Sequence, residues 1–411
     1  MPSIDPEPKL KMNQAAIFGN HKQASRWLAA QLHKSAVAAD APFLTGRHWK
    51  RGLAAFLRAA ENKHIILVFR NEQLQEVSEA FHQLGIFEMS VFPWDTHFFG
   101  RETTILQHCL TAIDNSKPRL DRVEIELNSG CNLNCKGCFQ FSNLVNGKCP
   151  ADLDAFTKDL QQLKKFFWGI GKIRLQGGEP LLNPDFLLFI KAARKIFPDS
   201  DLRLVSNSLL LEQLERGQLA VIRQYNCSID ISAYPPTRKK LKSITDYLDA
   251  AGVSYNVSLP IKVFYKGLLA TPAASPDRAY DHCIFTRCHS LERGLLGACT
   301  RQFYSSRLNE AFGLHYPARD PEEVVDLYHT SLNGWEINRL FGKAHPFCSY
   351  CSPGLEPFAW KTAPKNSAKA EDWINAGNPS GRKAAALLQK FLKPFAVRLR
   401  RRNQRPKRRR H

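Results

Sequence analysis

Between residues 121 and 265 the apolar positions switch repeatedly between a two-residue and a helical period. Arg122 to Leu127 reads as a strand. Leu153, Phe156, Leu160, Leu163 and Phe167 then form one apolar stripe, which predicts an amphipathic helix over 153–167. The pattern continues as a strand at 172–176, a helix at 186–196, a strand at 202–205, a helix near 212–223, a strand at 227–232, a helix at 240–251 and a strand at 254–258. Strand and helix alternating in this way predict a parallel sheet, with strands short enough to line a partial barrel. Functional residues on such a sheet belong where the strands end and the loops begin.

Residues 14–100 predict a smaller α/β unit. Ala15 to Phe18 reads as a strand ending at Gly19, followed by a helical pattern carrying Trp27, Leu28 and Leu32. His64 to Phe69 is a short buried strand, and Leu74, Val77, Phe81 and Leu84 place a helix over 72–84 that Gly85 stops. Ile86 to Phe92 gives a further strand, so the segment predicts a parallel βαβ arrangement. Its layout resembles the small Rossmann-like domains attached to sugar- and envelope-modifying enzymes. The run Gly19-Asn20-His21-Lys22-Gln23-Ala24 has His21 where the dinucleotide fingerprint needs a second glycine, so a scaffold or docking role is expected.

The whole chain has 411 residues and a net charge of +20, but Arg382 onwards contributes 13 Lys or Arg and no acid. The basic character is therefore a property of the tail, and it says little about the body. A disordered, solvated tail is the first expectation; Ala384, Leu388, Phe391 and Phe395 give it an apolar face that makes an anionic membrane surface the next, and nucleic-acid binding is not expected. No stretch approaches a membrane-spanning helix, and the start of the sequence lacks a signal-peptide layout, so a cytoplasmic protein, peripheral at most, is expected.

In a reducing compartment, clustered cysteines point to metal or redox chemistry rather than disulfides. Of 11 cysteines, two groups stand out, at 131–138 and 283–351, while Cys109, Cys149 and Cys227 lie apart as plain buried or inert thiols. Cys131, Cys135 and Cys138 occupy the loop directly after the first barrel strand, in CxxxCxxC spacing. Three thiolates leave one iron of a [4Fe–4S] cluster open, as a chemical centre requires. Structural zinc is the alternative, with His108 or Cys149 as a fourth ligand. After the second strand comes Gly177-Gly178-Glu179-Pro180, where paired glycines permit close backbone approach, and a carboxylate and carbonyls suit an ammonium group.

The two motifs together resemble the radical S-adenosylmethionine (radical SAM) superfamily over residues 121 to about 265. That resemblance implies a partial (β/α)6 barrel of TIM type. It implies a [4Fe–4S] cluster on Cys131, Cys135 and Cys138, and S-adenosylmethionine held by Gly177, Gly178, Glu179 and Pro180. Ser206, Asn207 and Ser232, at the ends of the third and fourth strands, are the further expected cofactor contacts. The residue before the third cysteine is often aromatic in the family; here it is Gly137, which leaves adenine stacking to Phe139 or Phe141. The implied chemistry is reductive cleavage of S-adenosylmethionine to a 5′-deoxyadenosyl radical, which takes a hydrogen atom from substrate.

The later cysteines resemble the twitch domain, a short relative of the SPASM domain. A hairpin turning at Gly294 and the pair Cys348-Ser349-Tyr350-Cys351 imply an auxiliary [4Fe–4S] cluster on Cys283, Cys299, Cys348 and Cys351, with Cys288 as the alternative to Cys283. An auxiliary cluster suits a net oxidation. The expected domains are 1–115 (Rossmann-like), 116–270 (barrel), 271–360 (twitch-like) and 361–411 (linker and basic tail). The expected activity is that of an oxidoreductase or modifying enzyme acting on a carbohydrate or nucleotide-linked sugar, with a peptide as the alternative substrate. A flavodoxin or ferredoxin is the expected electron donor. The rival from another class is a non-catalytic zinc protein that recruits partners.

Overall fold

The structure, a computed structural model, describes residues 15–19, 56, 64–69, 71–86, 88–93, 111–114, 116–283, 285–364 and 366–375. The predicted helix around Trp27, the fingerprint-like run after Gly19 and the basic tail lie outside the described residues.

The first sheet holds four strands in sequential order: β1 (Ala15–Gly19), β2 (His64–Phe69), β3 (Glu88–Pro93) and β4 (Thr111–Asp114). The first three are parallel and β4 is antiparallel. Helix α1 (Asn71–Gln83) places Leu74, Val77 and Phe81 against Ile65 and Leu67, which completes a small core. Sequential order is not the 3-2-1-4 order of dinucleotide-binding sheets, so the described strands form no switch point between neighbours.

The main sheet has eight strands. Its parallel part is β5 (Arg119–Asn128), β6 (Gly169–Gly177), β7 (Asp201–Ser206), β8 (Ser228–Ile231) and β9 (Tyr255–Val257), in that order. Helices α2 (Leu153–Phe166), α3 (Phe186–Ile196), α4 (Arg216–Gln224) and α5 (Leu241–Ala251) connect them. Three odd positions of β5, Val123, Ile125 and Leu127, join Phe156, Leu160 and Leu163 of α2 in one core. The even positions between them, Arg122, Glu124 and Glu126, are polar and turn the other way. Alternation therefore divides the strand between a helix-facing and a lumen-facing set.

The sixth strand, β10 (Val263–Leu268), is paired with β14 (Cys351–Ala359) in a separate two-stranded sheet. The main sheet grows instead on the β5 side. There β11 (His289–Glu292) adds parallel to β5, and β12 (Leu295–Gly297) and β13 (Val324–Asp326) follow. The cysteine hairpin is thus an extension of the barrel sheet.

The expected linker from residue 361 begins too early. Trp373 is buried with Phe141, Leu268 and Phe303, and Asp372 is buried beside Lys136. Residues 362–364 and 366–375 are held by tertiary contacts that the Pro-, Ser- and Lys-rich composition of this stretch conceals. No described helix is long and apolar enough to cross a membrane.

Candidate active site

At the C-terminal ends of β5, β6, β7 and β8 lies a cavity of about 310 Å³. Cys131, Cys135 and Cys138 share its wall with Gly177, Gly178, Ser206, Asn207 and Ser232. The structure thus brings two motifs from different strand ends, and the three polar residues expected beyond them, to one place. Phe139 lines the cavity, whereas Phe141 is buried away from it against Trp373. Tyr234 and Phe264 give the cavity two further aromatic walls. Neither was singled out in the sequence. Their positions just after β8 and within β10 were the available signal.

The cluster loop folds through left-handed positions at Asn134 (φ 50°) and Gly137 (φ 64°). A side chain on Gly137 would meet Phe358 at 2.7 Å and the Asp372 carbonyl at 2.8 Å, so this glycine lets the chain from β14 onwards lie across the loop. That covering segment is heavily bonded. The Lys136 amide donates to the Lys361 carbonyl at 2.9 Å, and the Ala363 amide to the Asn134 carbonyl at 2.9 Å. The Lys136 ammonium meets Asp372 at 2.7 Å, and the Trp373 indole donates to the Cys138 carbonyl at 2.8 Å.

The donor set fits an iron–sulfur cluster. The Trp360 indole donates to Cys135 Sγ at 3.3 Å, and the Leu133 amide to Cys131 Sγ at 3.5 Å. Burial pushes the Cys131 thiol up to about 12 and raises Cys135 as well. Buried thiols of this kind ionise in exchange for a metal charge. Among the described residues, no three His, Cys, Asp or Glu side chains surround a single point as ligands of one ion do. A cubane makes a different demand, because each thiolate takes a different iron.

The Glu179 carboxylate is turned into the fold. The side chain is fully buried and accepts from Ser206 Oγ at 2.7 Å, the Asn207 amide at 2.9 Å and the Leu181 amide at 3.2 Å. It ties the end of β6 to the end of β7 and caps the turn at Pro180–Leu182. Burial raises it to about 7, against the opposing pull of those hydrogen bonds. Pro180 is buried at the start of the same turn. Gly177 and Gly178 line the cavity, whereas Glu179 does not.

The paired glycines serve a backbone-to-backbone fit. The Gly178 amide donates to the Asn128 carbonyl at 2.8 Å, and the Glu179 amide to the Gly130 carbonyl at 3.0 Å. A Cβ on Gly178 would overlap the Gly130 carbonyl, and one on Gly177 (φ 131°) would overlap the Asn128 carbonyl. The two motif loops are thus in direct contact.

Part of the cavity wall is polar and unsatisfied. Gln140 Oε1, Ser142 Oγ and both amide atoms of Asn143 are buried without a hydrogen-bond partner among the described residues. Buried polar atoms are rarely left in this state. Nothing in the sequence pattern singles out these three. Below them the lumen is charged: Arg174 pairs with Glu124 at 2.7 Å, Arg203 with Asp230 at 3.3 Å, and Arg307 with Glu126 at 2.6 Å.

The later cysteines differ in their surroundings, although Cys288 too lies within the influence of Cys283. Cys283, Cys348 and Cys351 act electrostatically on one another's surroundings, and Cys299 lies within the influence of Cys283 and Cys351. Cys288 turns to the barrel, where Arg122 Nη2 donates to its Sγ at 2.9 Å. Burial raises its thiol to about 12. Cys283 Sγ instead accepts from the Phe285 amide at 3.3 Å.

Residues 125–255 match the family model of the radical SAM superfamily. GTP 3′,8-cyclase of Sulfurovum sp. (strain NBC37-1) is 25% identical over 260 residues, covering 58% of this chain and 77% of that protein. Among solved structures, BtrN in complex with AdoMet and 2-DOIA matches at 14% identity and a TM-score of 0.37, over 57% of this chain and 94% of BtrN. Native anSMEcpe with bound AdoMet matches at 18% identity and a TM-score of 0.29, over 34% of this chain and 43% of that one. With its three-cysteine loop and glycine-rich turn on one cavity inside the matched span, the chain carries a radical SAM domain, the catalytic unit of a superfamily that uses a [4Fe–4S] cluster and S-adenosylmethionine.

Proposed function

We propose that the protein is an oxidoreductase that generates a substrate radical from a nucleotide-like or sugar-like molecule and passes one electron on to an auxiliary cluster. The observation that carries this reading is the single cavity shared by Cys131, Cys135, Cys138, the Gly177–Gly178 backbone and the unsatisfied atoms of Gln140, Ser142 and Asn143. When bound, the cluster and S-adenosylmethionine supply a hydrogen-abstracting radical.

The chain's own residues do the rest. Cys131, Cys135 and Cys138 hold the cluster, and Trp360 and Leu133 donate to the thiolates. Gly177 and Gly178 present backbone to the methionine end of the cofactor, and Ser206, Asn207 and Ser232 offer hydrogen bonds to its ribose. Phe139, Tyr234 and Phe264 give the cavity apolar faces that exclude water from a reactive centre. Gln140, Ser142 and Asn143 combine donors and acceptors without formal charge, which suits hydroxyls or the edge of a base. The name shared by the curated relatives, GTP 3′,8-cyclase, supports a nucleotide-class substrate.

Cys283, Cys299, Cys348 and Cys351 form the auxiliary ligand set in this reading, and a closed shell of four thiolates suits electron transfer better than substrate binding. The test is anaerobic turnover of the reduced, reconstituted protein. 5′-Deoxyadenosine should form with S-adenosylmethionine alone, and its yield should rise with nucleotides or nucleotide-linked sugars. No 5′-deoxyadenosine from cluster-loaded protein would refute the activity. Stimulation by peptides only would refute the substrate class.

A further inference from the structure

Arg301 is a buried cation without a carboxylate. Its residue is 6% exposed, yet among the described residues it forms no ion pair. Other arginines of this region, less buried than Arg301, are paired: Arg307 meets Glu126 at 2.6 Å, and Arg319 pairs with Glu292. Arg301 instead lies between two rings, with its guanidinium carbon 4.7 Å from the centre of Phe139 and 4.6 Å from the centre of Phe285. Nη1 donates to the Gly267 carbonyl at 3.4 Å, and Nη2 is buried with no partner among the described residues. The space is built for it. A Cβ at Gly267 would stand 2.8 Å from Nη1 and 2.9 Å from Nη2.

Position gives this cation a meaning. Arg301 follows Cys299 by two residues and lies beside the Cys351 thiol. On its other side Phe139 is the residue after Cys138. The guanidinium therefore stands between the two cysteine sets. It does not line the cavity, so it is not placed to bind substrate. Burying a cation without a counter-charge is costly. A four-thiolate [4Fe–4S] cluster supplies one: it carries a net charge of about −2, and about −3 after taking up one electron.

We propose that Arg301 is the buried counter-charge of the auxiliary cluster and raises its reduction potential, which fits that cluster to accept an electron from the neighbouring site. A fixed cation stabilises the more negative, reduced form more than the oxidised form. Arg301 acts through the cluster and is a positioning residue. The proposal rests on the auxiliary-cluster reading above.

The test is a redox titration of the full-length, two-cluster protein followed by electron paramagnetic resonance, with dithionite as reductant. Iron is counted on every sample. The variants are Arg301→Gln and Arg301→Lys. The first should shift one midpoint potential downwards and leave the other in place; the second should stay near wild type. An Arg301→Gln protein that loads both clusters with neither potential moved overturns the proposal. If Arg301→Gln fails to load the auxiliary cluster while Arg301→Lys loads it, the charge is required and the proposal stands. If both fail, the shape between the two rings is what matters and the proposal falls. A wild-type protein with iron for one cluster only would instead refute the reading beneath it.

Discussion

Trp373 offers the sharpest check on the claim that the chain after β14 belongs to the cluster site. The side chain is 2% exposed, its ring centre lies 5.9 Å from Phe141 and 6.0 Å from Phe312, and its indole donates to the Cys138 carbonyl at 2.8 Å. The Trp373 carbonyl also accepts from the Gly267 and Leu268 amides, both at 3.1 Å. Trp373→Phe removes the indole bond and little volume. The Cys138 carbonyl keeps its bond from the Phe141 amide at 2.9 Å, so no acceptor is stranded and the loss should be about 1 kcal/mol. Trp373→Ala leaves a cavity beside the cluster loop and should cost about 3–5 kcal/mol. In a unit of this size that corresponds to a fall in Tm of roughly 6–20 °C, against a few degrees for the Phe variant. Thermal melting of the anaerobic, cluster-loaded protein, with iron counted before heating, reads both effects. The Ala variant should also lose iron selectively from the Cys131–Cys138 site. A Trp373→Ala protein with wild-type Tm and full iron would refute the reasoning and restore the segment to a linker.

Other predictions follow from the same geometry. Gly178→Ala should separate the two motif loops, because its methyl would collide with the Gly130 carbonyl; calorimetry should show S-adenosylmethionine binding lost, and retained affinity would contradict the loop contact. Glu179 is raised from 4.5 to about 7, so the folded state holds its proton longer than the unfolded chain does. Its stabilising contribution is full below pH 4.5 and is lost as pH rises towards 7, a change of about 3 kcal/mol that Glu179→Gln should remove from a stability–pH profile measured without S-adenosylmethionine. Cys283→Ser should lower iron content, whereas Cys288→Ser should leave it unchanged because that thiol meets Arg122; the reverse result would exchange their roles.

Much of the barrel was legible because its signal is local. Val123, Ile125 and Leu127 on β5, and Phe156, Leu160 and Leu163 on α2, repeat at the periods their elements require, and the structure places them in one core. The cluster loop and the glycine-rich turn were legible from spacing. What their glycines do was not, because the Gly130 carbonyl that excludes a Cβ at Gly178 comes from another strand end. The carboxylate of Glu179 looked free to meet a ligand, yet its partners Ser206 and Asn207 come from the end of β7. The misreading of residues 362–375 has the same origin. Asp372 and Trp373 find Lys136 and Cys138, the latter 235 residues away, and composition carries no trace of such contacts. Spacing alone leaned towards Cys283 over Cys288, and it could not foresee that Arg122 from β5 approaches Cys288.

The central claim is that this is an iron–sulfur enzyme with two separate cysteine sets. Iron and acid-labile sulfide per chain, measured on anaerobically purified protein, test it most directly. Two cubanes predict about eight irons in the wild type and about four when Cys131, Cys135 and Cys138 are all replaced by Ala. Zinc in place of iron, with no binding of S-adenosylmethionine, would contradict the account.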